Sequence, residues 1–228
     1  MAVSEADERA IERQRSFVSE VFHNLSQPLT ALHCSLELSL FRDQTADELR
    51  AGIATALENA ACLRQRLLLL RELNQAGDPG DLSLPTDLNE LLRDLREELL
   101  PLFESAGQQF ELHLEAGELP VCGNRTKLMR ALFYFLEYLF RYSAPGARLE
   151  LRARAAEERQ AEISIATCSC LPVGPSAENE SYQRSCEIEI ARCSFEAAGG
   201  EFGLLASGSG PSVWRATLPL LSVADSGE

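Results

Sequence analysis

His23 is the residue of this chain best placed to do chemistry. It lies in the run Ser16-Phe17-Val18-Ser19-Glu20-Val21-Phe22-His23-Asn24-Leu25-Ser26-Gln27-Pro28-Leu29-Thr30-Ala31-Leu32. Apolar residues fall at 18, 22, 25, 29, 32 and 36, in steps of 4, 3, 4, 3 and 4, the repeat of a helix that packs along one seam. His23 follows Phe22 and so stands about 100° around the helix from that seam. On a bundle helix such a position faces solvent, where an imidazole can take up or give away a phosphoryl group. Phe22, Leu25, Ser26 and Leu29 surround it with an apolar surface and polar edges. Asn24 is its immediate neighbour, and Gln27, one turn on, is placed to position water or a docked partner. Of the other histidines, His33 lies beside Leu32 at the edge of the seam and reads as structural. His113 falls in an alternating stretch and reads as a strand surface residue.

The elements that must hold His23 follow from the same periodicity. Residues 4 to about 42 read as one helix, with Pro28 inside it crowding the carbonyl four residues back and predicting a local bend. Asp43-Gln44-Thr45 reads as a turn, and Thr45-Ala46-Asp47-Glu48 as a capping box. A second helix then runs to about Gln75, with a seam at Leu49, Ile53, Ala56, Ala60, Leu63, Leu67 and Leu70. Two such helices make an αα-hairpin that cannot cover its own apolar faces. A four-helix bundle built by two chains through residues 10–75 is the economical solution, which predicts a homodimer.

Ala76-Gly77-Asp78-Pro79-Gly80-Asp81 is rich in turn residues and reads as a boundary. The expected domains are 1–76 and 84–222. In the second, Asp87 is the expected N-cap of a helix ending near Glu104. Strands are expected at 109–114, 148–154 and 160–166, and helices at 127–142 and 185–198. A polar loop is expected at 167–184, a closing hairpin at 201–206 and 212–218, and a disordered tail from Ser222. Gly203, Gly208 and Gly210 read as hairpin turns. The fold class is α+β: a helical hairpin, then an α/β sandwich.

His23-Asn24-Leu25-Ser26-Gln27-Pro28-Leu29-Thr30-Ala31-Leu32 resembles the H-box of sensor histidine kinases, of the form H-E-L-x-Q-P-L-x-A-I. The match holds at His23, Leu25, Gln27, Pro28, Leu29 and Ala31, with Leu32 in place of Ile and Asn24 in place of the acidic residue. The second domain resembles that family's ATP-binding catalytic domain. Arg141-Tyr142-Ser143-Ala144-Pro145-Gly146 is similar to its K-Y-S-P-x-G segment, and Phe195 to Gly200 and Ala216-Thr217-Leu218-Pro219-Leu220 to its closing segments.

The nucleotide motifs depart from the family. The N-box Asn that holds Mg²⁺ and phosphate falls on Tyr138, with Glu137 beside it as a remaining carboxylate. The Asp-x-Gly-x-Gly that reads adenine falls on Thr167-Cys168-Ser169-Cys170-Leu171. The glycine-rich lid falls on Ser181-Tyr182-Gln183-Arg184-Ser185-Cys186, and Glu187 and Glu189 would repel a triphosphate. Asn24 removes the expected autokinase base. The resemblance therefore implies a histidine phosphotransferase, similar to the ChpT type. It would carry phosphate on His23 between response-regulator receiver domains of a phosphorelay, without ATP. Mg²⁺ would come from the receiver, and a hybrid histidine kinase is a further partner. The alternative is a pseudokinase scaffold that binds and regulates a kinase or receiver without carrying phosphate.

Composition agrees with these expectations. A net charge of −14 argues against nucleic acid and anionic membranes as partners. No apolar run approaches the ~20 residues of a membrane span, and Met1 to Gln14 carry no signal-peptide core. A cytoplasmic location is expected. The short stretches before residue 10 and after 220 suit a relay intermediate without sensor or receiver domains. Seven cysteines without a regular framework read as reduced thiols. Cys168-Ser169-Cys170 lacks a second Cys pair or a nearby histidine, so no metal and no cofactor of its own is expected.

Overall fold

Two long helices open the chain, α1 over Glu5–Phe41 and α2 over Ala46–Ala76. The structure is a computed structural model that describes residues 5–41, 45–78, 85–156, 159–167, 186–206 and 212–221. It divides into two compact units, Met1–Arg71 and Glu72–Glu228. The start of α2 is the expected capping box. The Thr45 backbone N–H donates to Glu48 Oε2 at 2.8 Å, and the Glu48 N–H to Thr45 Oγ1 at 3.3 Å. These Thr45 donors hold the Glu48 carboxyl below its ordinary range.

The apolar seam expected on α1 is divided between two faces. Val21, Leu25, Leu32, Ser35 and Ser39 are half-buried and Pro28 is buried, whereas Phe22, Leu29 and Leu36 are exposed. The inner face thus runs one position behind much of the predicted seam. Small residues, Ser35 and Ser39, occupy the C-terminal part of the inner face. Ser39 lies so near α2 that a Cβ on Gly52 would come within 3.0 Å of its hydroxyl. Counting apolar residues does not register serines that permit close helix approach. On α2, Ala56 is buried and Ala60 and Leu63 half-buried, while Leu49, Ile53 and Leu67 face outward. The helix assignment passes through Pro28 without a break. His33 stands in solvent, 3.5 Å from Glu37, and not at the packed edge.

The second unit is the expected sandwich. Its elements are β1 (Thr86–Asp87), α3 (Leu88–Ser105), β2 (Gln109–Leu114), β3 (Pro120–Val121), α4 (Arg125–Tyr142), β4 (Arg148–Ala156), β5 (Gln160–Thr167), α5 (Cys186–Ala197), β6 (Glu201–Ala206) and β7 (Ser212–Pro219). The five-stranded sheet has the order β2-β4-β5-β7-β6, with β2 and β4 parallel and the other pairs antiparallel. Asp87 caps α3 by accepting from the Asn89 N–H at 3.0 Å, and Asn124 caps α4 by accepting from the Lys127 N–H at 3.2 Å. The β1–β3 pair is an addition to the expected elements, since two residues show no periodicity.

One face of the sheet is apolar. Leu149, Leu151, Ile163, Ile165, Trp214 and Leu218 meet Leu91, Leu95 and Leu99 of α3, Leu132 and Phe135 of α4, and Phe195 of α5. Phe135 lies 4.9 Å from Phe202 and 5.0 Å from Trp214, centroid to centroid, in edge-to-face contacts. The other face is polar and carries Arg148, Glu150, Arg152, Arg154 and Glu162. Gly199 ends α5 at φ 78°, and a Cβ on Gly200 would lie 1.8 Å from the Thr217 carbonyl oxygen, so both glycines are required there. Gly203 is not a turn residue: it sits inside β6 opposite Arg215. Gly208, Gly210, Cys168, Cys170 and the tail from Ser222 lie outside the described residues, as does most of the expected 167–184 loop. Thr167 itself closes β5.

Candidate functional site

The imidazole of His23 stands exposed in the middle of α1. Its Nε2 is 2.9 Å from the side-chain amide nitrogen of Gln27, one turn further on. With the Gln27 amide nitrogen donating, Nε2 accepts in the tautomer that carries its proton on Nδ1. The nitrogen that points along the helix surface therefore carries a lone pair. Phe22 is 65% and Leu29 54% exposed, and Ser26 and Gln27 are exposed beside them. With His23 they form one continuous outer surface. Leu25 is turned to the half-buried inner face, where it supports the helix. The side chain of Asn24 lies outside the described residues.

In the second unit, three described positions within the segments that resemble nucleotide motifs, Tyr138, Thr167 and Glu187, are buried. Tyr138 is 5% exposed, and its ring lies 4.8 Å from that of Tyr142. Glu187, read from the sequence as a charge that would repel a triphosphate, is 7% exposed, with Arg141 3.6 Å away. Arg141 also reaches Glu137 at 3.3 Å. The first turn of α5 is thereby tied to the last turns of α4 by charge. Thr167 is buried, and its Oγ1 has no hydrogen-bond partner among the described residues. Cys193, on the same helix as Glu187, has its thiol pushed up by burial and by the nearby Glu189. Two hollows lie elsewhere. One of about 710 Å³ runs beside β2 and α3, and one of about 560 Å³ lies over Arg154, Glu162, Glu201 and Arg215.

One group of side chains was not singled out from the sequence. Glu111 and His113 on β2 meet Glu150 on β4. The i, i+2 spacing on β2 was visible, but the cross-strand partner depends on register.

Together these features define a histidine-kinase-like fold, a helical region bearing an exposed histidine followed by a kinase-type α/β sandwich. The comparisons with known proteins give particular relatives. The chain is 25% identical over 152 residues to the sensor histidine kinase CusS of Escherichia coli O157:H7, covering 66% of this chain and 31% of that protein. It thus spans about a third of the length of this curated relative. The Acinetobacter baumannii histidine kinase AdeS superposes with a TM-score of 0.65 at 16% identity, covering 88% of this chain and 98% of that one. Histidine kinase ThkA, solved in complex with the response regulator protein TrrA, superposes with a TM-score of 0.68 at 13% identity, over 97% of this chain and 68% of that one. No family model matches. No helix among the described residues is long and apolar enough to cross a membrane.

Proposed function

We propose that the chain is a histidine phosphotransferase of a two-component phosphorelay. The observation that carries this reading is the exposed His23 imidazole bonded to Gln27 on an unbroken helix. In the forward step the Nε2 lone pair attacks the phosphorus of a receiver's aspartyl phosphate. The N–P bond forms, the P–O bond breaks, and the carboxylate leaves with the electron pair. The proton stays on Nδ1. The reverse step delivers the group to the aspartate of a second receiver. Such transfer needs positioning and charge neutralisation more than side-chain acid–base chemistry, and the receiver brings the Mg²⁺. Gln27 must release Nε2 as phosphorus approaches, so its contact sets the tautomer and not the transition state.

The burial of Tyr138 and of Glu187, which Arg141 neutralises, supports a phosphoryl source other than ATP bound to this chain. The curated relative is named a sensor kinase, and the ThkA structure contains a response regulator. Both favour receiver domains as partners here. A second copy of the chain is the expected cover for the outward Phe22, Leu29, Leu36, Ile53, Leu57 and Leu67, which two helices cannot bury. Each such side chain contributes roughly 1.5–3 kcal/mol when fully covered.

The second reading is a scaffold that binds receivers or kinases without carrying phosphate. It draws on a sandwich core kept intact around a packed nucleotide region. Incubation with a phosphorylated receiver domain separates the two. Label is expected on the wild-type chain, none on His23→Ala, and none from ATP alone. Binding of receivers without label would favour the scaffold, and labelling from ATP would refute the packed-site argument.

A further inference from the structure

The polar face of the sheet holds a cluster that the phosphoryl chemistry does not use. His113 Nε2 lies 3.1 Å from Glu150 Oε1 and 3.5 Å from Glu111 Oε2. One donor atom from each of the three residues lies within 4.8 Å of the others. Their placement comes from the ladder and not from a loop. Glu111 and Glu150 are register partners in the parallel β2–β4 pair, and His113 is two residues along β2 on the same face.

The spacing fits a cation. A tetrahedral ion with nitrogen and oxygen ligands at about 2.0–2.2 Å sets those ligands roughly 3.3–3.6 Å apart, close to both observed separations. One imidazole with two carboxylates, and a fourth position open to solvent, is a donor set that suits Zn²⁺. Mg²⁺ and Ca²⁺ want six or more oxygens and suit it less. Arg148 donates to Glu111 Oε2, and Arg152 to Glu150 Oε1 at 2.5 and 2.8 Å, the same two oxygens that face His113, so each carboxylate must share its oxygen or turn its second oxygen to the ion. A carboxylate has about four acceptor positions, so it can hold a guanidinium and an ion together. The two arginines then act as outer partners that orient the ligating carboxylates. Glu111 and His113 also line the 710 Å³ hollow beside β2.

We infer that Glu111, His113 and Glu150 bind one first-row divalent ion, Zn²⁺ by preference, which clamps the edge strand β2 to β4. The inference does not rest on the phosphotransfer reading. The competing arrangement is a plain surface ion-pair network of Glu111, His113 and Glu150 with Arg148 and Arg152.

Titration of the full chain with Co²⁺, followed by displacement with Zn²⁺, tests it. One Co²⁺ per chain is expected, with tetrahedral d–d absorption and no thiolate charge-transfer band. His113→Ala and Glu150→Gln should each weaken binding more than tenfold while circular dichroism is unchanged. Equal affinity in wild type and both variants would overturn the site. So would spectra of thiolate ligation alone, or no binding at millimolar Co²⁺.

Discussion

On α1 an imidazole stands in solvent beside an uncovered Phe22 and Leu29. Between α4 and α5, a carboxylate and a tyrosine that would border a nucleotide in kinases are packed away. The contrast lies in what each region leaves open. The first unit keeps an exposed imidazole whose Nε2 is held by Gln27, and leaves apolar side chains uncovered beside it. The second satisfies its charges internally, Glu187 to Arg141 and Arg141 to Glu137, and devotes its interior to apolar packing. A relay protein needs the first arrangement, whereas a nucleotide-dependent kinase would need the reverse of the second.

The largest test of this division is Phe135→Ala. The ring is fully buried between Phe202 and Trp214, so its loss should destabilise the second unit by about 3–5 kcal/mol. Denaturant unfolding followed by Trp214 fluorescence should show that loss while the helical signal of α1 and α2 persists. Simultaneous loss of both signals would show that the units do not stand apart.

A smaller effect is expected at Gln27. Replacing the amide donor by the acceptor in Gln27→Glu draws the ring proton to Nε2 and removes the lone pair. Transfer should slow about tenfold, equivalent to roughly 1.4 kcal/mol, and more than in Gln27→Leu. If both variants transfer equally fast, Gln27 does not set the tautomer.

The smallest effect is at the start of α2. Thr45→Ala should lower helix stability by about 1 kcal/mol at neutral pH, read from thermal melts. The Glu48 carboxyl is held below its ordinary range by Thr45, so its contribution is present above the unfolded carboxylate pKa. It is lost as pH falls through the folded value. The difference between wild type and Thr45→Ala should therefore narrow in acid.

Local signals were the most legible. Thr45 and Asp87 each announced a helix start by side-chain type and spacing, and alternation revealed β2, β4 and β5. What depended on packing was harder to read. The half-burial of Ser39 rests on its close approach to Gly52, which no apolar count contains. The burial of Glu187 needed Arg141, 46 positions earlier in the chain, to come alongside. Likewise Glu150 joins Glu111 and His113 only once β4 has found its parallel partner. For His23 the motif was plain in the sequence, but the Gln27 contact that sets its tautomer was visible only as a spacing.

The parallel pairing of β2 with β4 has a further consequence, for folding order. Gln109 must find Arg148 across the whole of α4, and Gln160 must find Pro219 across the whole of α5 and β6. Chain closure over such lengths precedes any reward from pairing, which makes the sheet slow. Helices α1 and α2 close on contacts a few residues apart and form early. Stopped-flow refolding should show helical circular dichroism ahead of Trp214 burial. The helix that bears His23 would then take shape, with Phe22 and Leu29 uncovered, before the sandwich exists.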